Sequence, residues 1–138
     1  HGEIIKEFQP ETVREVLSEE TAATMRDILG GVVADGTGKL AQVEGYDVGG
    51  KTGTSQKIEN GAYSHSKFIG SFVGFAPVKD PKIVVVVMLD QPHPLYYGGV
   101  VAAPVFSRVA KDTLRYLEIK PANITEVKRE VELQSVED

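Results

Sequence analysis

The fold is decided by the stretch Gly49-Gly50-Lys51-Thr52-Gly53-Thr54-Ser55-Gln56, which places one cation, three hydroxyl groups and three glycines in eight residues. If this stretch is a β-strand, Lys51 and Gly53 share one face and the two threonines share the other, because side chains alternate along a strand. An ammonium group can hold an anion or organise proton transfer, and two hydroxyls spaced two residues apart can bind the oxygens of a carboxylate. The bare Gly53 lets another backbone come close.

A phosphate-binding loop is the alternative interpretation of the same stretch. Residues Gly45 to Thr52 fit the pattern G-x-x-x-x-G-K-[ST], and Val84 to Asp90 looks like the acidic strand end that holds magnesium in such proteins. Such a loop needs a helix directly after it, whereas Thr52 to Ser55 and then Asn60-Gly61 disfavour a helix. The strand that should precede the loop, Lys39 to Glu44, is short and half polar. We therefore favour a strand and keep the nucleotide site as the alternative.

Length and composition limit the class of protein. A chain of 138 residues is one domain or part of one, and its hydrophobic share of 41% supports a core. Fifteen basic and twenty acidic residues give a net charge of -5, which argues against a nucleic-acid surface. The lack of cysteine excludes disulfides and thiolate metal sites, and no apolar run reaches the roughly 18 residues that cross a bilayer. Because the sequence begins with His1 rather than Met, we expect it to be part of a longer chain.

The N-terminal third is predicted to hold two short extended segments and one helix. Ile4 to Phe8 is predicted as a short strand and Thr12 to Leu17 as a second extended segment. Ser18 is a suitable N-cap for the helix that follows. We expect the apolar stripe of that helix to pack in the core before the pattern ends at Asp35 to Gly38. The stripe consists of Ala22, Met25, Ile28, Leu29, Val32 and Val33.

The middle of the chain predicts a three-stranded antiparallel meander. Tyr46 to Ile58 forms the first strand, and Asn60-Gly61 is a strong hairpin signal into the second strand, Lys67 to Ala76. The third strand, Ile83 to Leu89, has seven apolar residues in a row, so we expect both of its faces to be buried. The second strand is apolar on both faces as well, through Ile69, Val73 and Phe75 on one side and Phe68 and Phe72 on the other.

The C-terminal third predicts a loop, a helix and a tail. Gln91 to Gly99 forms the loop, in which Tyr96 and Tyr97 either line a cleft or pack, and we favour packing. Pro104 suits the first turn of a helix that runs to about Leu117 and packs on the sheet. Residues 119–138 are predicted to be a polar flexible tail, with a glycosylation pattern at 123–125. The fold class is therefore α+β, a three-stranded antiparallel meander covered by helices.

Five sequence blocks occur in the order found in one enzyme family. They are Ser18 to Ala22, Gly36 to Gly38, Gly50 to Gln56, Ser71 to Pro77 and Gly98 to Phe106, and they span most of residues 1–118. Together they resemble the C-terminal part of the transpeptidase domain of class B penicillin-binding proteins. These D,D-transpeptidases cross-link peptidoglycan through a serine acyl-enzyme and are acylated by β-lactams. The resemblance implies the serine β-lactamase-like fold over residues 1–118.

The resemblance also implies roles for individual residues. Lys51 would support proton transfer, and the backbone N–H of Thr54 would donate one of two oxyanion-hole hydrogen bonds. Thr52 and Thr54 would bind the carboxylate of a stem peptide or a β-lactam, with Gly53 and Ser55 beside them. No cofactor or metal is implied. The implied partners are the upstream part of the same domain and other cell-wall synthesis proteins, at the extracytoplasmic face of a membrane that an N-terminal segment anchors.

The sequence departs from the family pattern at the nucleophile. Family enzymes attack with the serine of S-x-x-K and relay protons through S-x-N. This chain contains no S-x-N, and its only S-x-x-K, Ser64 to Lys67, follows the central motif in a polar segment that we take as flexible. We interpret that match as a coincidence and expect the nucleophile upstream of His1, so the isolated chain should be inactive. Part of a serine β-lactamase or β-lactam sensor, and a non-enzymatic module with the same fold, remain as alternatives.

Overall fold

The computed structural model describes residues 5–9 and 11–122. The predicted glycosylation pattern and most of the predicted tail, residues 123–138, lie outside the described residues. In chain order the elements are helix α1 (Glu19–Ala34), a 3-10 turn (Lys39–Ala41), strands β1 (Gly49–Glu59), β2 (Ala62–Ala76) and β3 (Ile83–Asp90), the short helix α2 (Gly98–Val101) and helix α3 (Ala103–Tyr116).

The three strands form one antiparallel sheet in the order β1-β2-β3, which confirms the meander. Asn60 and Gly61 have φ of 52° and 82°, the left-handed conformation that a tight hairpin turn requires. β1 begins later than predicted, because Tyr46 makes only an isolated bridge to Val43, and β2 begins earlier than predicted. β1 runs through Lys51 without a helix, so the phosphate-loop alternative is wrong.

The core lies on one side of the sheet, which we call the inner face. This face carries the even-numbered residues of β1 up to Gln56 and of β2 from Phe68 onward, and the odd-numbered residues of β3. The rings of Phe72 on β2 and Phe106 on α3 lie 4.9 Å apart at 55° and are fully buried. A Cβ at Gly74 would lie 2.7 Å from the Phe106 ring, so a glycine is needed for this close approach. Helices α1 and α3 contribute Val33 and Leu114 to the same core.

The opposite side, the outer face, exposes apolar side chains. Val84, Val86 and Met88 of β3 are 70%, 60% and 66% exposed, and Val73 of β2 is 44% exposed. The prediction that both faces of these strands are buried is therefore wrong. The reason is that the helices among residues 5–9 and 11–122 pack on the inner face, whereas seven apolar residues in sequence show no face preference.

Helix α1 begins where predicted. The Ser18 side chain accepts a hydrogen bond from the backbone N–H of Thr21 at 3.2 Å, which satisfies one of the unpaired N–H groups of the first turn. The prediction that the whole apolar stripe packs in the core is wrong, because Met25 and Ile28 are 43% and 56% exposed. Among the residues of this helix only Val33 is fully buried, because only the C-terminal end of the helix reaches the core.

The segment before α1 forms no strand among the residues described, so the strand predicted at Ile4 to Phe8 is wrong for residues 5–8, and Thr12 to Leu17 pairs with no other strand. Ile5, Phe8 and Val13 are 97%, 80% and 90% exposed. A short alternating pattern is not sufficient for a strand, because the backbone N–H and C=O groups also need a neighbouring strand.

The end of the described chain packs on the body of the protein. Helix α3 begins at Ala103 with Pro104 in its first turn and ends one residue before the predicted Leu117. Beyond it, the Tyr46 hydroxyl donates to the Ile119 carbonyl at 2.7 Å, and the Ala122 N–H donates to the Gly45 carbonyl at 2.8 Å. These two hydrogen bonds join the first residues of the predicted tail to the segment that leads into β1.

Candidate functional site

Lys51 lies on the outer face at the exposed edge of the sheet. Its Nζ donates to the backbone oxygen of Thr52 at 3.1 Å and to Thr52 Oγ1 at 3.3 Å. Lys51 and Gly53 line a cavity of about 240 Å³ together with apolar residues of β2 and β3, among them Val86 and Met88. The ammonium group therefore stands beside the exposed apolar surface and touches a hydroxyl that belongs to the opposite face.

Thr52 and Thr54 line a second cavity, of about 350 Å³, which we call the hydroxyl cavity. The Thr52 and Thr37 hydroxyl oxygens lie 3.3 Å apart. Thr54 Oγ1 accepts a hydrogen bond of 3.1 Å from the backbone N–H of Gly98. The full lining comprises Thr37, Lys39, Leu40, Thr52, Thr54, Tyr97, Gly99 and Val100. Three threonine hydroxyls, the Tyr97 hydroxyl and one ammonium group make this a cavity that suits an anion.

Two adjacent glycines, Gly98 and Gly99, allow the close backbone contacts around the hydroxyl cavity. A Cβ at Gly98 would lie 2.3 Å from the Gly53 carbonyl oxygen, and a Cβ at Gly99 would lie 2.7 Å from the Thr37 carbonyl oxygen. Both distances are shorter than any side chain tolerates against backbone, so only glycine lets α2 approach β1 and the turn at Thr37 this closely.

Sequence reasoning did not identify Thr37 or Lys39 as residues of this cavity. Thr37 was assigned only to the end of α1, and the single signal for it was the small Gly-Thr-Gly block. Tyr96 stacks on Phe68 with ring centroids 4.1 Å apart, which confirms packing, but Tyr97 is 55% exposed and lines the cavity. Ser55 lines neither of the two cavities at β1.

The S-x-x-K sequence is part of strand β2, not a flexible segment, and it lies at an irregularity where the β1–β2 register shifts. Ser64 Oγ accepts from the backbone N–H groups of Ser66 and Lys67, at 3.4 and 3.2 Å. The Lys67 ammonium forms an ion pair with Glu59, and this contact, followed by a hydrogen bond from Ser64, lowers the pKa of the Glu59 carboxyl. Both side chains are thus engaged in shaping the hairpin, which supports the interpretation of the motif as a coincidence.

The charged groups near the end of β1 are also paired. Lys57 Nζ reaches both carboxylate oxygens of Asp90 on β3, at 2.7 and 2.9 Å, and this contact lowers the pKa of Asp90. In the part of the chain that the structure describes, no three His, Asp or Glu side chains come together to hold a metal ion. The same residues contain no helix that is long and apolar enough to span a membrane.

The fold and the K-T-G strand identify the class of protein. The family model described as the penicillin binding protein transpeptidase domain matches residues 3–111, and the chain belongs to this family. Among its relatives, the chain is 48% identical to Stage V sporulation protein D of Bacillus subtilis over 85% of this chain. It is 44% identical to the probable peptidoglycan D,D-transpeptidase PenA of Neisseria flavescens over 78% of its length.

Solved structures agree with this assignment. The transpeptidase domain of Burkholderia pseudomallei penicillin-binding protein 3 matches with a TM-score of 0.73 and 46% identity over 82% of this chain. Penicillin-binding protein 3 of Mycobacterium tuberculosis, solved with ampicillin, matches with a TM-score of 0.74 and 34% identity over 85% of this chain. The chain spans 18% and 28% of the two sequence relatives and 35% of the Burkholderia domain, so it corresponds to part of a transpeptidase domain.

Proposed function

We propose that this chain supplies the substrate-binding strand of a peptidoglycan D,D-transpeptidase that cross-links stem peptides and is acylated by β-lactams. The observation that carries the proposal is the arrangement at β1. The Lys51 ammonium touches the Thr52 hydroxyl, which in turn lies beside Thr37, and Thr54 opens into the same cavity. A carboxylate that enters the hydroxyl cavity would meet the hydroxyl groups of Thr37, Thr52 and Thr54, with the Lys51 ammonium beside Thr52.

The chemistry of acyl transfer assigns a task to each of these groups. Thr52 and Thr54, with Thr37 as a third donor, hold the ligand carboxylate and so orient the carbonyl that is attacked. The backbone N–H of Thr54 stabilises the oxyanion, and loss of one such donor typically costs about 3 kcal/mol. Lys51 organises the proton network and stabilises negative charge beside the strand.

The remaining part of the transpeptidase domain covers the outer face in this proposal. Val84, Val86 and Met88 present an apolar surface there, and contiguous exposed apolar patches of this kind mark interaction sites. Lys51 lies on the same face, so the element that covers the surface also comes close to the ammonium group. That element would carry the serine nucleophile of S-x-x-K, its lysine base and the S-x-N relay.

The proposal includes a location and further partners. One relative is named as a probable peptidoglycan D,D-transpeptidase, and on this basis we place the longer protein at the extracytoplasmic face of the cell membrane, anchored by an N-terminal segment. Stem peptides and β-lactams are its ligands, and other cell-wall synthesis proteins are its partners.

Acylation kinetics test this function. In a protein that carries this chain with a complete transpeptidase domain, Lys51→Ala should slow acylation by a fluorescent penicillin at least about 100-fold, the usual contribution of a positioned proton-transfer group. Thr52→Val should raise the penicillin concentration for half-maximal rate about tenfold, because one hydrogen bond to a charged group is lost. Lys79→Ala, in the exposed turn after β2, is the matched control and should leave the rate unchanged. A rate that is insensitive to Lys51→Ala would remove β1 from the mechanism.

A further inference from the structure

We propose that Lys39 is a specificity-determining residue that makes the hydroxyl cavity select ligands with a free carboxylate. The inference rests on the proposed function, since it concerns which acylating ligands the site accepts. Lys39 lines the cavity together with Thr37, Thr52 and Thr54, and sequence analysis assigned it no role.

The backbone that carries Lys39 is held firmly. Lys39 is the first residue of the 3-10 turn, and Gly38 before it is buried, with so little space that a Cβ would lie 3.1 Å from the Val32 carbonyl oxygen. Ala41, at the other end of the turn, is fully buried in the core. The turn is joined to β1 by the contact between Thr37 and Thr52 hydroxyls. The long side chain thus starts from a fixed point at the rim of the cavity.

The charge of Lys39 is available to a ligand. It is the charged member of the cavity lining, and no carboxylate lines the cavity beside it. None of the ion pairs found among residues 5–9 and 11–122 includes Lys39. Lys51 differs, because its Nζ approaches Thr52 from the outer face. A carboxylate bound by the hydroxyls would therefore have the Lys51 ammonium beside Thr52 and the Lys39 side chain in the lining of the same cavity.

The expected effect is modest and depends on salt. Lys39 is exposed, and an exposed charge pair in water contributes little and is screened over a distance of roughly 8 Å at physiological ionic strength. Removal of the charge should lower the second-order acylation rate for an anionic ligand about two- to fivefold at low salt. The acylation rate with a ligand that lacks the carboxylate should be unchanged, because the electrostatic attraction acts on the carboxylate.

The test uses benzylpenicillin and its neutral methyl ester on the protein with a complete transpeptidase domain. Lys39→Gln should slow acylation by the acid at low salt, and this difference should disappear at about 1 M salt because the charge is screened. The acylation rate with the ester should be unchanged. Lys39→Arg should retain the normal rate, and Lys79→Gln controls for the change in net charge.

Three results would overturn the inference. The first is an equal loss of acylation rate for acid and ester in Lys39→Gln, which would indicate a structural role. The others are an unchanged rate with the acid and an equal loss of rate in Lys79→Gln. Each of them leaves the proposed function intact if the unsubstituted protein is acylated. Failure of the unsubstituted protein to acylate at all would instead overturn the proposed function, and this inference with it.

Discussion

The two faces of the sheet differ in how far other elements of the chain cover them. On the inner face Phe72 and Phe106 are fully buried against each other, whereas on the outer face Val84 and Met88 are 70% and 66% exposed. In sequence, residues 83–89 of β3 are apolar on both faces. The difference shows that the inner face finds its covering helices within residues 5–9 and 11–122, and the exposure of the outer face supports our proposal that another part of the domain covers it.

The largest expected contrast between the two faces is the loss of unfolding free energy when one side chain on each face is replaced by alanine. Phe106→Ala should destabilise the chain by about 3 to 5 kcal/mol, because it removes apolar contacts and leaves a cavity beside Phe72. Met88→Ala should cost less than about 1 kcal/mol, since the side chain is mostly in water already. Urea unfolding of both variants measures these losses. Equal losses would contradict the assignment of the core to the inner face.

A methyl group added to a glycine on each face should give a smaller contrast. At Gly74 the new Cβ would lie 2.7 Å from the Phe106 ring, so Gly74→Ala should cost about 1 to 3 kcal/mol through overpacking. At Gly53 the nearest atom is the Ser71 hydroxyl, 2.5 Å away, which can rotate aside. Gly53→Ala should therefore cost less than Gly74→Ala in the same urea assay, and the reverse order would show that the outer side of β1 is the tighter one.

The smallest effect concerns acid stability at the outer face. The pKa of Asp90 is lowered in the folded state, chiefly by its hydrogen bond with Lys57. The stability that the ionised Asp90 contributes to the folded state is therefore present above the unfolded pKa of about 3.9. It is lost as the pH falls through the lower, folded pKa. Asp90→Asn should flatten the fall of the urea midpoint in that acid range at low salt, and Phe106→Ala should not. An unchanged pH profile for Asp90→Asn would show that the ion pair contributes nothing in solution.

Local chemistry explains which features the sequence predicts. Asn60-Gly61 sets the hairpin and Ser18 caps α1, because each acts on residues within a few positions of itself. Alternation along β1 likewise predicts that the two threonines share a face. Burial of β3 was predicted wrongly because it depends on which elements lie opposite each face, and this information is not local.

The candidate site shows the same limit. Thr37 meets Thr52 across 15 residues, and Gly98 meets Thr54 across 44. These pairs form only when the turn and α2 dock on β1, so composition and periodicity cannot identify them. The K-T-G motif was recognisable because its chemistry lies in consecutive residues.

Mass spectrometry of the intact protein after incubation with a fluorescent penicillin tests the central claim most directly. The claim is that β1 binds and polarises a ligand but needs a nucleophile from another part of the domain. We expect no adduct on the 138-residue chain, because Lys67 is paired with Glu59 and Ser64 accepts backbone hydrogen bonds in β2. A protein that also carries S-x-x-K and S-x-N before this chain should take up one penicillin. A stoichiometric adduct mapped to Ser64 of the 138-residue chain would contradict the account.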